Sequence, residues 1–323
     1  MPTERDPPST YSLRPQRPVR GAGNCTKAPP PLPTRRPPPR TTAATPLVSP
    51  SPKPSASRSA SPYAKPRASA SAKATPSRTA QQPAPATGPV GKRTITLVNR
   101  LSQTIWPAIA ADPKHPVAAT GWGLKPGQSL SFAIPDHWDV RLWARTGCSF
   151  DAAGNGSCLS GGCGTFQCGS TWGEFPSTLA EFNLNAWNGT DFYDVSQVEG
   201  YNLPMWINIS HTTTTDPVSS AGCYKGTCTT NVDCPKAMQA LSGGQEIGCK
   251  PPCAAFGGDT YCCRGAWPGR DNCIPSTWPV DYTQVFKRAA PYAYSYAFDD
   301  GATMPCKGAC YYRITFGTTN GTT

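Results

Sequence analysis

Fourteen of the fifteen cysteines fall between Cys148 and Cys310, and that block constrains the chain more than any other feature. A reducing compartment tolerates such a density only where the thiols bind metal. An even set closes as disulfides with none left over, whereas zinc sites take ligands in fours and usually recruit histidine. The chain has three histidines, His115, His137 and His211, and none is a near neighbour of a cysteine in sequence. The spacing therefore predicts bridges rather than metal ligands, with no metal or organic cofactor. It also places this part of the protein outside the cell, in the extracellular space or cell wall.

Net charge separates the chain into two parts. Over the whole chain it is +11. Residues 1–93 hold 16 Lys/Arg and 2 Asp/Glu, whereas residues 94–323 hold 14 and 17. The basic character belongs to the N-terminal segment, so the C-terminal part is not expected to bind nucleic acid. The segment 1–93 also carries 22 of the 38 prolines and few large apolar residues. It cannot bury enough surface to offset the entropy of folding, and is expected to be a disordered tail. A plain linker, a mis-called gene start, and a basic arm that adheres to acidic wall polymers or carries O-linked sugar all remain open. Residues 1–30 contain no apolar core of the kind a secretory leader needs, so no signal peptide is visible. Lys92-Arg93, directly before the first expected strand, reads as a chance basic pair or a dibasic processing site.

From Thr94 onward the residues alternate in short runs. Leu130, Phe132 and Ile134 share one face, as do Val140, Leu142 and Ala144 opposite Arg141, Trp143 and Arg145. Met205, Ile207 and Ile209 lie opposite Trp206, Asn208 and Ser210, and Tyr312, Ile314 and Phe316 repeat the pattern near the end. Alternation of period two between Gly, Pro, Asn and Asp turns predicts an all-β, antiparallel sandwich or barrel spanning 94–323. Helices are expected only at CPKAMQAL, with Pro235 in its first turn, and at DYTQVFKRA, which Pro291 stops. Acceptor tripeptides for N-linked sugar occur at Asn24, Asn155, Asn188, Asn208 and Asn320. Of these, Asn208 is expected on the outward face of its strand.

The segments GNGSCLSGGCGTFQC (154–168), RLWARTGCSFD, TLAEFNLN, DFYDVSQVEGYNLPM, CPKAM, YCC, FKRAAPYAYSYAFDD and YYRITF occur in the order of one family. In them residues 94–320 resemble the thaumatin-like (pathogenesis-related, osmotin-type) proteins, with Gly162 where the family usually has Asp. The resemblance implies a thaumatin-like β-sandwich with a cysteine-rich lobe at about 222–275. It also implies eight bridges, and here the chain departs. Leu101 and Gly317 stand where the family's terminal bridge would be, and Ala290 replaces a further cysteine. The pairs implied are Cys148–Cys158, Cys163–Cys168, Cys223–Cys306, Cys234–Cys249, Cys253–Cys262 and Cys263–Cys273, with Cys228–Cys310 as a substitute and Cys25 left over.

The family's acidic cleft, carried over residue by residue, falls on Arg141, Glu181, Asp194, Glu199 (an Asp in the family) and Asp299. Converging carboxylates raise at least one pKa, and an arginine offsets this. Glu181 as acid with Glu199 as base or nucleophile is the pair expected if the protein hydrolyses β-1,3-glucan, the carboxyl separation deciding the stereochemistry. The same groove equally suits a module that binds β-1,3-glucan, another wall polysaccharide or a target-membrane component in antifungal defence, acting as a monomer. A structural, wall-associated protein is the third reading. Trp143, Phe192, Tyr193 and Tyr201 are the aromatics expected near the site.

Overall fold

The computed structural model describes residues 91–212 and 214–319. Residues 1–90, with Asn24, Cys25 and almost all of the expected tail, lie outside the described residues, as does Asn320.

Two sheets carry the fold. One has five antiparallel strands in the order Met304–Lys307, Thr190–Ser196, Leu179–Trp187, Asp139–Thr146, Ile105–Ile109. The other has four, in the order Ser129–Pro135, Lys92–Asn99, Tyr311–Phe316, Met205–His211. Their apolar faces meet in one core. Ile95, Leu97, Ile207 and Ile314 come from the four-stranded sheet, and Leu142, Phe182, Leu184 and Val195 from the five-stranded one. This is the expected all-β sandwich, with one departure from a purely antiparallel arrangement. The first and last strands pair in parallel, from Ile95↔Tyr312 to Asn99↔Phe316.

That parallel pair lies where the family's terminal bridge would be. Leu101 is buried in the core, and the Arg100 N–H donates to the Phe316 carbonyl at 2.8 Å. A ladder and an apolar side chain thus tie the two ends. A second tie runs between the sheets. Arg93 is buried, and its Nε and Nη2 donate to the fully buried Asp191 carboxylate at 2.7 and 2.9 Å. Lys92-Arg93 is therefore part of the first strand rather than an accessible dibasic cleavage site.

Seven disulfides close among the described residues. Cys148–Cys158, Cys163–Cys168, Cys234–Cys249, Cys253–Cys262 and Cys263–Cys273 pair as the resemblance implies. The other four cysteines correct it. Cys223 pairs with Cys228 and Cys306 with Cys310, in place of Cys223–Cys306 and Cys228–Cys310. The reason is local. Cys223 and Cys228 are register partners across a tight hairpin with Cα atoms 4.1 Å apart. Cys306 and Cys310 flank the turn between the last two strands, 6.3 Å apart. Neither separation is too long for a bridge.

The lobe has its own small core of Tyr201, Val232, Met238, Val285, Phe286 and Ala289. Its expected helix at CPKAMQAL is a single 3-10 turn, Lys236–Met238, followed by the strand Gln239–Ser242. Gly243 and Gly244, both with positive φ, turn that strand back onto Gln245–Cys249, and the hairpin wins over the helix. The second expected helix forms as one short element, Thr283–Lys287.

Two period-two expectations fail because both faces of a strand are covered. Trp143 and Arg145 alternate away from the sandwich core, yet both are fully buried under the loop that follows their strand. Arg145 donates to the carbonyls of Trp106, Thr165 and Phe166 at 2.8–3.0 Å, pinning that loop down. Asn208 is likewise buried, its amide donating to the carbonyls of Val218 at 2.6 Å and Ser219 at 2.9 Å. It is not the outward-facing acceptor the alternation predicts.

Candidate functional site

On the outer face of the five-stranded sheet, register rather than loop geometry assembles the charged groups. Arg141 is the cross-strand partner of Glu181, and Glu181 that of Asp194. Each has core residues on either side in sequence (Val140 and Leu142, Ala180 and Phe182, Tyr193 and Val195), so the pleat turns all three outward together. Directly opposite side chains on one face stand about 4.5–5.5 Å apart at Cβ. The row Arg141, Glu181, Asp194 is therefore fixed by the strands themselves.

Glu199, in the turn after the Thr190–Ser196 strand, reaches the same guanidinium from the side. Arg141 Nε pairs with Glu181 Oε1, and its Nη1 donates to Glu199 Oε1 at 3.3 Å. One arginine thus holds two carboxylates. Asp194 has no such contact, and its Oδ1 is buried without a hydrogen-bond partner. Burial pushes the Asp194 carboxyl up to about 8, the neighbouring Glu181 charge adding to the rise and Arg141 opposing it. Glu199 is also raised by burial, with Arg141 pulling the other way. The carboxyl that burial holds protonated is thus Asp194, whereas the sequence reading gave the acid role to Glu181.

Asp299 does not join the group. Its Oδ2 accepts from the Ser295 N–H at 3.0 Å and hydroxyl at 2.8 Å, and pairs with Lys287 Nζ at 2.6 Å. The structure thus brings together Arg141, Glu181, Asp194 and Glu199, and ties Asp299 to the short helix Thr283–Lys287.

Two hollows adjoin the row. One, of about 590 Å³, lies over the sheet and is lined by Arg141, Glu181, Asn183, Asp194, Trp172 and Phe192. The other, of about 340 Å³, is mostly apolar and lies between Glu199 and the lobe, against Phe175, Pro251, Pro252, Tyr261, Trp278 and Tyr296. Arg141 lines the first and Glu199 the second, so their contact joins the two.

Of the aromatics expected near the site, Trp143, Tyr193 and Tyr201 are buried, and Phe192 alone lines the larger hollow. The aromatic that sequence reading missed is Trp172. Half exposed, its ring carries the Arg141 guanidinium 4.6 Å from its centroid. Its loop is held down at the next residue, because a Cβ on Gly173 would lie 2.4 Å from Trp143 Nε1. Only glycine permits that approach. TWGEFPST has no alternation, and a loop residue acquires a facing direction only once the path of the loop is known.

The model of the Thaumatin family matches residues 99–318. The chain belongs to the thaumatin family. Among its thaumatin-family relatives, a pathogenesis-related thaumatin-like protein 3.5 of Cryptomeria japonica is 42% identical over 70% of this chain and 90% of its own length. Pathogenesis-related protein 5 of Arabidopsis thaliana is 41% identical, over 68% and 88%. A Prunus avium protein named glucan endo-1,3-beta-glucosidase is 37% identical, over 69% and 89%. Among the described residues no helix is long and apolar enough to cross a membrane.

Proposed function

We propose that this thaumatin-family chain acts outside the cell and binds β-1,3-glucan of a cell wall in the groove above Arg141, Glu181 and Asp194, as a defence protein. The observation that carries this reading is the Trp172–Arg141–Glu181 stack beside an open hollow of about 590 Å³. Sugar recognition needs polar groups fixed in direction next to an apolar platform. A guanidinium locked by two carboxylates supplies the first, and the Trp172 and Phe192 rings the second. The seven bridges support an oxidising setting, and the relatives named pathogenesis-related support defence.

The contact geometry weighs against Glu181 and Glu199 as an acid and base pair. Both carboxylates are tied to one guanidinium, so neither is free to turn toward a substrate without giving up that contact. A second reading, slow hydrolysis of the same glucan, draws on Asp194. A carboxyl raised to about 8 beside an ion-paired Glu181 pairs a neutral acid with an ionised partner, which glycoside hydrolysis requires. The relative named for glucanase activity fits that chemistry.

Retention on insoluble β-1,3-glucan, together with reducing-sugar release from laminarin, separates the two. Wild type is expected to be retained and to release little sugar, and Arg141→Gln to flow through. Substantial release that Asp194→Asn abolishes, with retention unchanged, supports hydrolysis instead. No retention of folded wild type removes the binding reading.

A further inference from the structure

The hairpin joining Leu179–Trp187 to Thr190–Ser196 ends in Trp187-Asn188-Gly189-Thr190, which contains an acceptor tripeptide at its tip. Asn188 and Gly189 have φ of 50° and 68°, and Trp187 and Thr190 are register partners across them. This is the two-residue turn that asparagine followed by glycine favours, because both central positions are left-handed. Asn188 is exposed, and among the described residues no side-chain hydrogen bond ties its amide. Beside it, the Trp187 indole is 71% exposed, the most exposed large apolar side chain among the described residues. Ala180, Phe182 and Leu184 of the same strand lie in the core, and Trp187 does not.

We propose that Asn188 carries an N-linked glycan whose first sugar lies on the Trp187 ring. In the transfer, the Asn188 carboxamide nitrogen attacks the anomeric carbon of a lipid-pyrophosphate-linked oligosaccharide. The N–C bond forms, the anomeric C–O bond breaks, the lipid pyrophosphate leaves, and one amide proton passes to the transferase. Attachment at the first turn position, directly after Trp187, places the first pyranose within reach of the indole. Its C–H face then covers the aromatic surface that water otherwise meets. Asn208 contrasts at each point: buried, with its amide given to two carbonyls and its Oδ1 accepting from Trp206 Nε1 at 3.1 Å. Asn155 is exposed, but no exposed indole adjoins it in sequence.

The proposal rests on the secretory itinerary argued above, and forcing that itinerary tests the acceptor separately from it. The full chain is secreted from a eukaryotic host behind a supplied leader, and glycopeptides of the folded product are mapped by mass spectrometry. Asn188 is expected to be occupied and Asn208 bare. Trimming the glycan to its first N-acetylglucosamine is expected to leave the melting temperature within about 1 °C, whereas full removal lowers it by roughly 2–4 °C, the change that follows from one stacked contact in a domain of this size. In Trp187→Ala, whose altered side chain is exposed and does not support the core, the trimmed and bare forms are expected to melt together. A bare Asn188 in folded, secreted protein overturns the proposal. So does an occupied Asn188 whose two forms melt alike with Trp187 intact.

Discussion

Glu181 and Asp194 face each other directly across neighbouring antiparallel strands, two acidic side chains in one register pair. Like charges so placed destabilise a sheet. The pair resolves this asymmetrically: Glu181 takes the Arg141 guanidinium, and Asp194, buried without a partner on Oδ1, retains its proton to about pH 8.

The consequence for stability follows from the sign of that shift. A carboxyl raised from 3.8 to about 8 binds a proton in the folded state that the unfolded state has released. Its contribution is fully present below about pH 4 and is lost as pH rises through 8. Asp194→Asn is expected to melt above wild type at pH 8, with the difference closing toward pH 4. Melting curves at fixed ionic strength check this, and parallel pH profiles of the two proteins contradict it.

Disulfide topology gives a second test. Non-reducing peptide maps are expected to show Cys223 joined to Cys228 and Cys306 to Cys310. Cys306 and Cys310 are fully buried, whereas Cys228 is exposed. Mild reductant on folded protein is therefore expected to open Cys223–Cys228 before Cys306–Cys310, read by timed alkylation. A Cys223–Cys306 peptide contradicts the pairing.

Much of this was legible in the sequence, and the exceptions have physical causes. Arg141 and Glu181 could be placed on an accessible face because flanking Val140, Leu142 and Phe182 mark the core side. The same alternation misleads at Trp143, Arg145 and Asn208, where loops cover the second face and a strand reads as half-exposed only when its outer side is bare. Five bridges followed the order of their cysteines. The pairing of Cys223 and Cys228 depends instead on a four-residue hairpin turn that family order does not encode. Trp172 was illegible for want of any periodicity in its loop.

A third prediction concerns the tie between the first strand and the five-stranded sheet. Arg93→Met leaves the buried Asp191 carboxylate without its cation, although Tyr312 still donates to it at 2.8 Å. Loss of one partner of a buried pair costs roughly 3–5 kcal/mol, or on the order of 10 °C in melting temperature. Adding Asp191→Asn is expected to restore part of the loss, since it removes the stranded charge. Calorimetric melts of the three proteins check both steps, and an unchanged melt for the single variant contradicts the role.

The most direct test is titration of a linear β-1,3-linked oligosaccharide into wild type and Trp172→Ala by calorimetry, with the fold of each confirmed by its melting temperature. Trp172 is half exposed, so its loss leaves the core intact. Saturable binding to wild type is predicted, weakened about tenfold in the variant, as expected for loss of a stacking contact worth roughly 1–1.5 kcal/mol. Equal affinity in the two proteins, or no binding by folded wild type, contradicts a glucan groove built on the Trp172–Arg141–Glu181 stack.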